Sequence, residues 1–268
     1  MVSNKPNRIF LRELRKSLAR PAASIALPIF VSLLVVSAPL KAGEPAITPA
    51  IQAIIDSPDR SEDDRETDQR RHPAKMLAFI GVKPGMSALD IGTGRGYTAE
   101  LLARSVGPGG SVLAQNDTTI VERFLKGTTP ERFNKTVMDN VTYVVRPYDD
   151  PFPQGSGPFD LITIMFVYHD MEWLGRDRAA MNRLFFDALK PGGHVVVVDH
   201  AGNPGTGVSE SKTTHRIEES VVRSEFAAAG FELVAEGQFL RNPDDPRTES
   251  FREAAIASDR FVLKFRRP

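Results

Sequence analysis

The chain has 268 residues, 41% hydrophobic and 25% charged, enough for one large domain with a full core or two small ones. Bases and acids balance at 34 each, but residues 1–42 hold seven of the bases and one of the acids; the remaining 27 bases and 33 acids leave a charge of −6. That balance argues against a nucleic-acid partner, which calls for a basic face, and the absence of cysteine excludes disulfides and thiolate chemistry.

Residues 1–42 read as an export signal. A basic stretch, Lys5 to Arg20, precedes an apolar run over 25–40 that is broken by Pro28 and Pro39. The run is shorter than the ~20 residues of a spanning helix. Leu40-Lys41-Ala42 supplies a small residue at a cleavage site, so the mature chain is expected to start at Gly43, periplasmic or secreted and with no stable membrane span. An uncleaved anchor is the alternative. Residues 43–73 are charged and poorly periodic. They read either as a solvated segment or as an N-terminal flap over a ligand. Residues 74–80 form a short apolar helix ahead of Gly81 and Pro84.

From Ser87 the pattern alternates. Residues 87–91 form a strand followed by a glycine turn. Residues 97–106 put Ala99, Leu102, Ala103 and Val106 on one helical face. Strands follow at 111–115, 141–145, 159–166 and 195–198, with a ragged helix over 120–138 and a helix over 178–189. A last helix at 217–229 precedes strands at 231–235 and 260–265. The long connection over 238–258 is either a lid or a surface excursion. Strand–helix alternation predicts one α/β domain over 74–268, with a mostly parallel seven-stranded sheet, helices on both faces and an antiparallel last strand.

The sharpest local feature is Asp90-Ile91-Gly92-Thr93-Gly94-Arg95-Gly96, set between a strand and a helix. A dinucleotide turn usually spaces its glycines Gly-x-Gly-x-x-Gly; here they read Gly-x-Gly-x-Gly, with an acid two residues ahead. That form resembles motif I of class I S-adenosylmethionine-dependent methyltransferases. Phe159-Asp160-Leu161-Ile162 and Leu189-Lys190-Pro191-Gly192-Gly193 resemble two further motifs of that family, in order. Val167-Tyr168-His169-Asp170 and Thr214-His215-Arg216-Ile217, behind a signal, resemble a group of exported bacterial methyltransferases. The resemblance implies a Rossmann-like fold and S-adenosylmethionine as cofactor, with transfer to a small molecule or an envelope component. It implies that Asp90 helps hold the methionine ammonium and that Gly92, Thr93, Gly94 and Gly96 lie along the methionine. Where the family usually carries a ribose-binding acid stands Asn116, with Asp117 beside it. Asp149 or Asp150 would reach the adenine amino group.

Parallel sheets bind ligands at the carboxyl ends of their strands. His169, Asp170, His200 and His215 fall near those ends. His169 is the candidate general base, with Asp170 and His200 orienting it; hydrogen bonding to loop backbones is the alternative role for each. Trp173 lines a pocket or closes the core. Nothing in the histidine spacing is metal-specific, and no metal is expected. An exported binding protein with this fold and no turnover stands as the competing function, and the glycine spacing disfavours a nicotinamide oxidoreductase.

Overall fold

The computed structural model describes residues 45–268, so the signal expected over 1–42 lies outside the described residues. The elements in chain order are α1 Pro49–Ile55, α2 Glu62–Arg71, α3 Pro73–Ile80, β1 Ser87–Ile91, α4 Tyr97–Val106, β2 Ser111–Asn116, α5 Thr118–Phe124, β3 Val141–Val145, β4 Phe159–Met165, α6 Asp170–Trp173, α7 Arg178–Ala188, β5 Leu189–His200, α8 Glu219–Ala228, β6 Glu232–Gly237 and β7 Arg260–Arg266. The sheet order is β3-β2-β1-β4-β5-β7-β6. β3, β2, β1, β4 and β5 pair in parallel, and β7 runs antiparallel between β5 and β6. This is the Rossmann-like sheet expected from the alternation. Chain order reverses direction across the sheet at β1 and β4, which opens a crevice beyond their carboxyl ends.

The β5 valines show how the sheet is buried. Side chains alternate between faces along a strand. Val195 and Val197 pack into one cluster with Met181 and Phe185 of α7 and Phe226 of α8. Val196 and Val198 pack into the other with Met76 of α3 and Leu102 of α4. All four valines are fully buried, so the 195–198 stretch of β5 is apolar on every residue because helices cover both faces. Among the described residues no helix is long and apolar enough to cross a membrane.

Three local expectations change. The ragged helix over 120–138 is a seven-residue α5 followed by two 3-10 turns, Glu131–Asn134 and Thr136–Met138; Lys126 and Gly127, both at positive φ, stop it. β5 is twelve residues rather than four. Its start at Leu189 pairs with Phe159, and its second half pairs with β7 along the whole length. The charged segment before residue 73 is docked rather than solvated. Arg60, buried, forms an ion pair with Asp68 at 2.7 Å, Arg132 pairs with Asp64 at 2.6 Å, and the Tyr97 hydroxyl donates to Asp68 at 2.5 Å. These contacts seat α2 against α4 and the 3-10 turn after α5. The 238–258 connection is likewise held down: Arg216, fully buried, pairs with Asp245 at 2.8 Å, and Arg247 pairs with Asp259 at 2.8 Å.

Candidate active site

β1 ends in the glycine turn, and β2 supplies the side chains that fix it. The Gly92 N–H donates to Gln115 Oε1 at 3.2 Å, and the Thr93 N–H donates to the Gln115 carbonyl at 2.9 Å. The Gly94 N–H donates to Asn116 Oδ1 at 2.8 Å, while Asn116 Nδ2 donates to the Gly94 carbonyl at 2.9 Å. Asn116 also donates to the Tyr143 hydroxyl. At Gly92 a Cβ would stand 2.6 Å from Val167 Cγ2, so no larger residue fits. At Gly94 a Cβ would meet nothing within 4 Å, but φ is +57°, a conformation that disfavours side chains. The turn thus presents backbone to an open space.

That space is a cavity of about 440 Å³. Asp90, Gly92, Thr93 and Gly94 form its floor, α2 contributes Asp64, Arg70 and Arg71, and Phe166, His200, Phe251 and Arg260 close the far side. Inside it several polar groups lack partners. Asp90 is buried. One of its oxygens accepts from the Thr163 hydroxyl at 2.7 Å, whereas Oδ2 has no partner, and neither has the Thr93 hydroxyl. Burial pushes the Asp90 carboxyl up to about 6, against the Thr163 hydrogen bond, the nearby Thr93 hydroxyl dipole and the attraction of Arg71. The Arg71 guanidinium lies over the rings of Tyr97 at 5.1 Å and Phe166 at 4.7 Å. Among the described residues no carboxylate forms an ion pair with it.

Behind the far wall lies the histidine cluster. His169 follows β4, and its Nδ1 is 2.7 Å from Asp199 Oδ1 while its Nε2 is 3.1 Å from Asp170 Oδ1. Asp199 also accepts from the backbone N–H groups of His169 and His200, both at 2.8 Å. Burial works against a charge on His169, but the Asp199 and Asp170 carboxylates outweigh it and raise the ring to about 10. Burial likewise opposes charge on Asp170, yet the neighbouring His169 and His215 rings and a bond from Trp173 hold it well below the usual carboxylate range. His200 differs: its Nδ1 meets the Ser258 hydroxyl at 2.8 Å and its ring stacks on Phe251 at 4.1 Å. Burial and the neighbouring positive charges keep it neutral.

The structure therefore brings Asp90, Gly92, Thr93, Gly94 and His200 to the cavity, with Gly96 capping α4 beside it. His169 and Asp170 lie behind the wall, with both ring nitrogens of His169 engaged. Asn116 and Asp149 do not line the cavity: the Asn116 amide fastens the turn, and Asp149 sits 4.0 Å from Arg176. Asp117, next to Asn116, caps α5 and accepts from the Tyr148 N–H. Asp199, Arg71, Arg260 and Phe251 take no site role from the sequence alone. Asp199 carried a local signal, an acid at the last turn of an apolar strand; the other three gain meaning only through contacts far apart in the chain.

Comparison with known proteins fits this geometry. A family profile described as a methyltransferase domain matches residues 65–236. The ubiquinone/menaquinone biosynthesis C-methyltransferase UbiE of Cupriavidus taiwanensis is 33% identical over 123 residues, covering 46% of each chain. Its counterpart in Teredinibacter turnerae is 35% identical over 124 residues, again covering 46% of each. The chain thus spans about half the length of the curated relatives it matches. A SAM dependent methyltransferase from Aquifex aeolicus shares the fold with a TM-score of 0.54 at 20% identity, covering 77% of this chain and 97% of that one. The cyclase SpnF does so with 0.54 at 17%, covering 85% and 99%. With well over half its length matched by that profile, the chain belongs to the methyltransferase-domain family.

Proposed function

We propose that this chain is an S-adenosylmethionine-dependent methyltransferase acting on a small molecule or an envelope component. The observation that carries the reading is the set of unused polar groups at the glycine turn: Asp90 Oδ2 and the Thr93 hydroxyl, buried without partners, within electrostatic reach of Arg71, which lacks an acid of its own. The methionine end of the cofactor is a zwitterion. Asp90 would hold its ammonium and Arg71 its carboxylate, with the turn backbone between them. When bound, the cofactor supplies an electrophilic methyl group, whose transfer needs chiefly in-line positioning. The residues of this chain do that positioning: Phe166, Phe251 and Arg260 shape the acceptor side, and His200 is the histidine that the wall presents there. Both His169 nitrogens are engaged by Asp199 and Asp170, so this reading asks no general-base step of His169. Residues 1–42 are proposed to be removed on export; intact mass of protein recovered from the periplasm should then begin near Gly43, and a full-length mass overturns the assignment.

Two variants test the cofactor reading. Gly94→Val puts a branched side chain at the cavity, where a Cβ meets nothing within 4 Å but φ +57° strains the turn, so calorimetry with S-adenosylmethionine should show binding lost, with circular dichroism checking that the variant is folded. Unchanged affinity would remove the glycine turn from the site. Asp90 should show the mark of a group kept for a ligand. Its carboxyl is raised in the folded protein, so its contribution to stability is complete below its ordinary 3.8 and is lost as pH rises through about 6. The cost above that pH is roughly 3 kcal/mol at 1.36 kcal/mol per pH unit. Asp90→Asn should therefore gain stability over the wild type between pH 4 and 7 in denaturant unfolding while losing cofactor affinity. A stability difference that does not change with pH contradicts this account of Asp90.

A further inference from the structure

Two sequence phrases, Tyr168-His169-Asp170 and Thr214-His215-Arg216, remain outside the cofactor site, yet the fold brings their polar side chains together. His169 Nε2 lies 3.1 Å from Asp170 Oδ1, His215 Nδ1 lies 3.6 Å from the same oxygen, and the three donor atoms all fall within 4.8 Å of one another. We propose that His169, Asp170 and His215 bind a divalent first-row transition-metal ion through these three atoms. The proposal is independent of the cofactor reading.

Four observations support it. The separations come near those of shared coordination: donors about 2.1 Å from one ion and about 90–110° apart stand about 3.0–3.4 Å from each other, against 3.1 and 3.6 Å here, a difference that a small turn of the His215 ring removes. The donor set is two imidazoles and one carboxylate, which suits zinc and ferrous iron and leaves positions open for a further ligand. Asp199 contacts His169 Nδ1 at 2.7 Å and is itself anchored by two backbone N–H groups. That is the carboxylate–histidine arrangement that orients a metal-binding ring and directs Nε2 toward the ion. Trp173 Nε1 donates to Asp170 at 2.7 Å and fixes the carboxylate in the same way. Finally, His215 Nδ1 is buried without a hydrogen-bond partner, although the residue is held at φ +56°, an uncommon conformation for a residue with a side chain. A ligand atom left bare at the end of a constrained loop fits coordination better than packing.

The cluster also sits where an ion would matter. The His169 ring is 6.1 Å from the His200 ring, and His215 is 6.0 Å from Phe251, and both of those neighbours line the cavity. The Asp170 and His215 side chains keep 17% and 18% of their exposure, which leaves the ion a route in.

The test uses tag-free, full-length protein stripped with a chelator and titrated with Co²⁺ at neutral pH. Visible d–d absorption reports coordination, and Zn²⁺ is added as competitor. The expected result is one equivalent of cobalt bound with new visible bands, displaced by zinc. Asp199→Asn should weaken binding by about 10–100-fold, the usual cost of losing an orienting carboxylate. His215→Gly, which suits the positive φ, should weaken it further with an unchanged far-ultraviolet circular dichroism spectrum; Asp170→Asn replaces it if that variant fails to fold. Wild-type protein that takes up no cobalt, leaving a proton-bridged Asp–His–Asp triad, overturns the proposal. So does binding that is equal in the wild type and in the folded ligand variant.

Discussion

The parallel pairing of β1 with β2 is the constraint on which the site depends. Register places Gln115 beside Ile91, so the last two side chains of β2 arrive directly under the turn that leaves β1. Gln115 and Asn116 then hold the turn through its own N–H and carbonyl groups. A glycine-rich loop has a high conformational entropy to lose. Here buried amides from the neighbouring strand offset that loss before any ligand binds, leaving the backbone preorganised. The same strand end explains why the place expected for a ribose acid holds an amide. A carboxylate at residue 116 could accept from the Gly94 N–H but could not donate to the Gly94 carbonyl.

Around this fixed turn the cavity keeps charges that folding alone does not favour. Asp90 is buried with one oxygen bare, and Arg71 and Arg260 both lie over Phe166; burial lowers the basicity of both, and the charge of Arg71 lowers that of Arg260 further. Buried groups without partners cost stability. Their concentration in one crevice, at the topological switch point of the sheet, marks the crevice as functional. The fold alone would not: a cyclase shares it at the same level of likeness as a methyltransferase.

Much of this was legible in the sequence. The valine run of β5, the helical face of α4 and the spacing of Gly92, Gly94 and Gly96 are local patterns, and each led to the element found. What was hidden depends on distant partners. The α2 segment has no apolar periodicity, because Asp64 docks through an ion pair with Arg132 and Asp68 through a pair with Arg60 and a hydrogen bond from Tyr97, rather than through an apolar face. Arg71 and Arg260 are far apart in the chain and meet only at the cavity. The sequence offers Asp170 and His200 as partners of His169, because nothing local shows that Asp199, at the end of another strand, engages one of its nitrogens. Ragged boundaries, such as α5 ending at Phe124, follow from turn residues at positive φ, which an apolar count does not register.

The most direct test of the central claim, that the bare groups at the glycine turn receive the methionine end of the cofactor, is a crystal structure with S-adenosylhomocysteine. The account predicts the amino group within hydrogen-bond distance of Asp90 Oδ2 and the carboxylate against Arg71, with the Gln115 and Asn116 contacts to the turn unchanged. Ligand density elsewhere, with Asp90 and Thr93 still unpartnered, would contradict it.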